Sequence, residues 1–330
     1  MTRSLKPSAL GRLKGTYRHE GLLLPKLERH VMRSLNAEDA ERSTDYMHPS
    51  DMAKKEWCGR HDFFRIIGTK AERKGQANPS FRMENVFAEG HTIHAKYQQW
   101  MWEMGILVGM WKCRDCGHRW YDISPSKCQF CVSEYIKYVE YPLRRNRYLI
   151  EGHADGATTL GFLVEIKSIG IRTLAFDAPR LYQRYLDGTK PEDIWFEINR
   201  PFPSHMRQAQ LYLWMAWPVY EQIVFIYESK FHQQTKEFVV DYNKGYIAPL
   251  LETARDVTIR VEQFRSTGVI DPPPRPSWAE GPESKICHSC EYRRTCWSMT
   301  DGEEADDPKE RVTIRRTTSA KRKRQLGRTA

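Results

Sequence analysis

No stretch of this 330-residue chain is apolar for long enough to cross a membrane. The best candidate, GILVGMW at 105–111, falls far short of the roughly 18 residues that a span requires. The first residues are basic, but no continuous apolar segment with a small-residue cleavage site follows, so a secretory signal is not expected. Both absences point to a soluble, intracellular, cytoplasmic protein. The 8 cysteines also lack the spacing of a disulfide framework. There is no internal repeat. What the chain does have is a core: 40% of it is apolar, with 10 Trp and 16 Tyr, which excludes a disordered polymer.

Negative charge is scarce at the two ends. Residues 309–330 carry nine Lys and Arg against one acid, and residues 1–35 carry eight against two. Of the formal net charge of +10, the body 36–308 is therefore left with −4. The run AKRKR at 320–324 suits either attraction of DNA by counterion release or a solvated tail. Residues 1–45 read as a basic, partly helical leader, and 301–330 as a disordered tail, acidic and then basic.

The cysteines fall into groups. Cys113, Cys116, Cys128 and Cys131 form two C-x2-C pairs in CRDCGHRWYDISPSKCQFC. Two tight turns that each present two thiolates satisfy tetrahedral zinc, so 113–131 reads as a zinc ribbon. Closed four-thiolate sites are usually structural, and the ribbon could equally grip DNA or a protein partner. A second group is Cys287, Cys290 and Cys296 in CHSCEYRRTC, with Cys58 alone far upstream. Four thiolates suit either a second zinc or an iron–sulfur cluster, and spacing does not choose between them.

The segment RYLIEGHADGATTLGFLVEIKSIG at 147–170 reads as two strands joined by a turn. Side chains alternate along a strand, so Glu165 and Lys167 share one face while Val164 and Ile166 face a core. Burying an acid and a lysine together is costly unless they act together. With Asp155 on a neighbouring strand, two carboxylates and an ammonium would converge. Carboxylates hold Mg²⁺ or Mn²⁺, and an ammonium steadies charge on an attacking oxygen or a phosphate. By itself, D-x9-E-x-K is a weak pattern. The region 85–110 reads as helical, YIKYVEYPLRR and RYLIEGHADG as an antiparallel pair, and 170–200 as helix and loop. Further strands are expected at EQIVFIYES and KEFVVDY, with a long helix near 243–267. His205, Gln208 and Tyr212 fall on one helical face.

GHAD followed by EIK resembles the G-x-x-D…(D/E)-x-K core of the PD-(D/E)xK nuclease superfamily, in its RecB-like branch. Gly90-x3-His94 resembles that branch's helical histidine motif, and Gln208-x3-Tyr212 its Q-x3-Y motif. The order of all four motifs matches, and the resemblance covers roughly 47–298. It implies an α/β, restriction-endonuclease-like core over 46–300, with a mixed central sheet flanked by helices. It also implies His94, Asp155 and Glu165 as metal ligands, with Lys167, Gln208 and Tyr212 completing the catalytic set. Cys58 with the later C-x2-C-x5-C resembles the iron–sulfur staple of CRISPR-associated RecB-like exonucleases and of the AddB nuclease domain. For Cys58, Cys287, Cys290 and Cys296 this implies a 4Fe-4S cluster. The zinc ribbon at 113–131 departs from the family pattern as an insertion. The expected activity is metal-dependent hydrolysis of DNA, as an exonuclease on single-stranded or frayed ends in recombination or repair, with a possible recombination or replication partner. An endonuclease or nickase guided by the ribbon, or a non-catalytic binding module, stands as the alternative.

Overall fold

The computed structural model describes residues 23–37, 43–72 and 80–299. The first 22 residues of the expected leader and the tail expected at 301–330 lie outside the described residues. The chain divides into two units, Met1–Arg42 with Gln76–Ala88, and Ser43–Gly75 with Glu89–Ala330. In the first unit, helix α1 (Leu24–Ala37) is amphipathic, and Leu24 and Leu27 on it are exposed. Among the described residues no helix is long and apolar enough to cross a membrane.

The second unit contains α2 (Pro49–Met52), α3 (Gly59–Ile66) and, from Glu89 onward, α4 (Phe81–Glu103). Seven short strands follow: β1 (Leu107–Cys113), β2 (Arg119–Ile123), β3 (Ile136–Tyr138), β4 (Tyr141–Arg145), β5 (Ile150–Ala154), β6 (Gly156–Thr158) and β7 (Leu163–Ile169). Helices α5 (Ile171–Asp177), α6 (Pro179–Leu186), α7 (Pro191–Glu197) and α8 (Pro203–Ala216) lead to β8 (Gln222–Ser229) and β9 (Thr235–Asp241). Helices α9 (Ala248–Thr267), α10 (Lys285–Ser289) and α11 (Arg293–Ser298) complete it.

One seven-stranded sheet organises the unit in the order β2-β1-β6-β7-β8-β9, with β3 also on β1. The sheet is mixed: β7 and β8 are parallel and every other pair is antiparallel. A parallel pair needs a long crossover, and α5 through α8 provide it. The pair β4-β5 forms a separate antiparallel hairpin, from Tyr141↔Ala154 to Arg145↔Ile150. Apolar cores lie on both faces of the sheet. Leu163 and Ile169 belong to the larger one, with residues of α3, α8 and α9, whereas Val164 and Ile166 join a second core with Ile93, Met101, Leu107 and Trp111.

Two expectations change. The helix expected over 85–110 stops at Glu103, and GILVGMW contributes to β1 instead. Gly105 turns the chain with φ +73°, a conformation open to glycine at little cost. The run is apolar because both faces at the start of β1 are covered: Val108 packs in the larger core, Leu107 in the smaller. The segment 147–170 is three strands, not two, with a break at Asp155 between β5 and β6.

Candidate active site

The break at Asp155 is where the site is built. Strand β6 pairs with β7 only through Gly156↔Val164 and Ala157↔Leu163. Beyond that point the ladder has no strand, and the Asp155 side chain replaces it: Oδ2 accepts the Ile166 backbone N–H at 2.6 Å. Asp155 is thereby fixed next to Glu165. Its Oδ1 lies 3.1 Å from His94 Nδ1 on α4, and Gln98, one helical turn on, donates to the Asp155 carbonyl at 2.8 Å.

Two residues on from Glu165, along the same face of β7, Lys167 Nζ sits 2.7 Å from Glu165 Oε1 and donates to Gln208 Oε1 at 3.0 Å. Gln208 Nε2 in turn donates to the Tyr212 hydroxyl at 2.9 Å. The six residues thus fall into two side-chain groups, His94 with Asp155 and Glu165–Lys167–Gln208–Tyr212, joined where Asp155 accepts the backbone N–H of Ile166, next to Glu165. His205, on the same helical face, reaches the Tyr227 hydroxyl instead.

Burial dominates the electrostatics. It pushes the Glu165 carboxyl up to about 7, with Lys167 pulling against it and Asp155 adding to it. Burial opposes the Lys167 ammonium, but the charges of Glu165 and Asp155 outweigh it and hold its pKa above the ordinary lysine value. His94 is likewise raised: burial disfavours the imidazolium, and the hydrogen bond and charge of Asp155 overcome this. Glu140, which no sequence motif marks, is also pushed up to about 7, by burial first and then by the charge of Asp155. Its signal is purely spatial, because the β3–β4 turn brings it close.

This donor set fits a hard divalent cation. Glu165 is 2% exposed, and its Oε2 takes no hydrogen bond among the described residues. A buried, unpartnered carboxylate oxygen is expensive unless something cationic meets it. Oxygen ligands with one imidazole suit Mg²⁺ or Mn²⁺.

Gly152, the glycine of GHAD, has a packing reason. A Cβ there would lie 2.9 Å from Pro49 Cδ and 3.1 Å from Tyr212 Cε1. Gly152→Ala is expected to cost about 1–3 kcal/mol by overpacking, a fall in Tm of several degrees in a thermal melt (roughly 2–4 °C per kcal/mol). An unchanged Tm would show that α2 and Tyr212 yield freely.

The four cysteines Cys113, Cys116, Cys128 and Cys131 place their sulfurs within 4.8 Å of one another, a group that could hold a metal ion. Cys113 Sγ is 3.5 Å from Cys131 Sγ, and Cys116 Sγ is 3.7 Å from Cys128 Sγ. Zinc–sulfur bonds of about 2.3 Å would place tetrahedral sulfurs about 3.8 Å apart. The Cys116 backbone N–H, chief among the influences, pulls the Cys113 thiol down to about 7, whereas hydrogen bonds from the neighbouring sulfurs raise Cys116 and Cys131. Cys113 ends β1, a strand of the central sheet, so the cysteine turns are built onto that sheet.

Cys58, Cys287, Cys290 and Cys296 are all free and partly buried. They do not form a set as tight as the first, but they are neighbours. Burial pushes Cys58 up to about 12, with the charges of Cys296 and Cys290 adding to it. Cys290 rises to about 11, through burial and then through Cys296 and Cys287. Arg60 and Arg275 both donate to the Cys296 carbonyl, at 3.2 and 2.5 Å.

No protein-family profile matches the chain, and no curated protein sequence matches it. Among solved structures, the crystal structure of SSO0001 is similar, at 12% identity and a TM-score of 0.34, over 72% of this chain and 87% of that one. The alkaline exonuclease LHK-Exo from Laribacter hongkongensis is similar at 11% identity and a TM-score of 0.35, over 68% of this chain and 94% of that one. Its complex with dAMP gives the same values. Scores this low decide neither fold family nor activity, and both rest on this chain's own geometry.

Proposed function

We propose that this chain is a metal-dependent DNA nuclease with a RecB-like PD-(D/E)xK core, acting as an exonuclease on single-stranded or frayed ends. The observation that supports the reading is the pairing of His94 with Asp155 and of Lys167 with Glu165, whose buried Oε2 takes no hydrogen bond among the described residues. Asp155 and Glu165 would hold Mg²⁺ or Mn²⁺, with His94 as a further ligand. Bound there, the ion would lower the pKa of a water and neutralise charge building on the phosphate. Lys167 stays protonated and presents its ammonium where the attacking oxygen or a phosphate oxygen gathers charge. Gln208, itself hydrogen-bonded to Tyr212, aims that ammonium. In the same reading, Cys113, Cys116, Cys128 and Cys131 hold structural Zn²⁺, and Cys58, Cys287, Cys290 and Cys296 a 4Fe-4S cluster that staples the two ends of the domain. Recombination or repair is the matching role.

End-labelled and circular single-stranded DNA, each with Mn²⁺ or with EDTA, test the reading. Release of label in Mn²⁺ but not in EDTA, abolished by Asp155→Ala, is the expected result. Cleavage that persists in EDTA would sink it, and cutting of the closed circle would replace exonuclease by endonuclease. Gln208→Ala removes a hydrogen bond to a charged group worth about 1.5–3 kcal/mol. The rate of label release should therefore fall roughly tenfold to a hundredfold, with Tyr212→Phe milder.

A further inference from the structure

The register of the sheet brings together three cations from three neighbouring strands. Lys112 on β1 pairs with Arg119 on β2 and with Lys137 on β3. Residues directly opposite one another in an antiparallel pair project from the same face. The three side chains therefore stand in one row, and the alternate residues Trp111, Trp120 and Tyr138 pack together on the opposite face. Arg119 and Lys137 are exposed and Lys112 is half-buried. Among the described residues, none of the three is in an ion pair within 4.0 Å. Like charges placed directly opposite on neighbouring strands are destabilising unless an anion lies over them.

The face they occupy is the catalytic one. Val108 pairs with Ala157, and Ala157 pairs with Leu163. Counting by twos, Met110 and Lys112 on β1 therefore share a face with Glu165 and Lys167 on β7. On the edge of β1 away from β2, β6 takes residues 107–108 and β3 takes 111–113. The row thus runs from Arg119 across Lys112 to Lys137, toward the side on which β7 lies. Tyr121, two residues from Arg119 and on the same face, is 49% exposed, its ring in edge contact with Tyr141. Aromatic rings beside a cationic track suit a single strand, because every base has a face that stacks. The cysteine turns at the end of these three strands hold the spacing of the row.

We propose that Arg119, Lys112 and Lys137 form a phosphate-binding track that leads one nucleic-acid strand to the Glu165–Lys167 site, an assignment that rests on the nuclease reading above. The test is binding of a fluorescent single-stranded oligonucleotide by the full chain carrying Glu165→Gln, at several salt concentrations. Each phosphate contact on a single strand contributes a slope of about 0.7 in log K against log salt. The triple change Lys112→Gln, Arg119→Gln, Lys137→Gln should therefore lower the slope by about 2. Lys137→Gln alone, the variant least able to disturb folding, should lower it by about 0.7, and Lys137→Arg should restore it. An unchanged slope in folded protein overturns the track. Equal competition by poly-glutamate of matching charge would also overturn it, in favour of an acidic protein partner. The two readings fail separately. Asp155→Ala abolishing cleavage while the slope stays fixed removes the track and keeps the nuclease. Row-dependent binding without any metal-dependent cleavage keeps the track and removes the nuclease.

Discussion

Glu165→Ala is expected to reduce Mn²⁺-dependent release of labelled nucleotide by ~10³-fold or more, the equivalent of the several kcal/mol that a metal-stabilised phosphoryl transition state gains. Glu165 is singled out because its two oxygens are used differently. Oε1 faces Lys167 at 2.7 Å, and Oε2 is buried with no hydrogen bond among the described residues. A purely structural ion pair would not leave that second oxygen unmet. Removing the side chain also leaves the Lys167 ammonium buried with less compensation, which usually costs stability. Glu165→Gln keeps the volume and the contact to Lys167, so it should melt closer to the parent while remaining inactive. Mn²⁺ affinity, followed by calorimetry without DNA, should fall in both variants. Cleavage within tenfold of the parent in Glu165→Gln would remove Glu165 from the metal site.

The second large effect concerns the four-cysteine group. With the zinc proposed above in place, Cys128→Ser should release about one zinc per chain to a chromogenic chelator and lower Tm by roughly 10 °C or more, since structural zinc contributes folding free energy directly. Cys128 is the choice because it is buried, as Cys113 is, whereas Cys116 and Cys131 are exposed. The loss should also reach the active site. β1 carries Cys113 at one end, and Leu107 and Val108 near the other pair with β6, which leads back to Asp155. Activity should therefore drop although no cysteine of this group touches the catalytic network. Full activity in a zinc-free variant would show that the ribbon is dispensable to the sheet. In the proposed reading, Cys287→Ser, by contrast, bleaches the brown colour of the iron–sulfur cluster and leaves the zinc content unchanged.

Alternation along 163–167 was enough to pair Glu165 with Lys167 and to bury Val164 and Ile166, because strand geometry is local and two-fold. Helical spacing was enough to align Gln208 with Tyr212, and the paired C-x2-C turns to group four sulfurs. These patterns repeat within a few residues, so composition and order carry them. The helix expected through residue 110 failed for a different reason. An apolar run with no clear period reads the same whether it is a helix or a strand buried on both faces, and Gly105 alone does not decide. The third strand at 156–158 was hidden because its identity depends on Asp155 satisfying the Ile166 N–H in place of a ladder partner.

By itself, the sequence determined which residues carry charge, sulfur and helical or strand periodicity, and therefore which side chains could serve together along one element. Only the tertiary structure decided what meets across elements. Lys112, Arg119 and Lys137 on one row, Glu140 within reach of the Asp155 charge, and Gly152 against Tyr212 all depend on pairing register and helix docking. Register is set by the sum of many packing contacts, and no local stretch of sequence contains that sum.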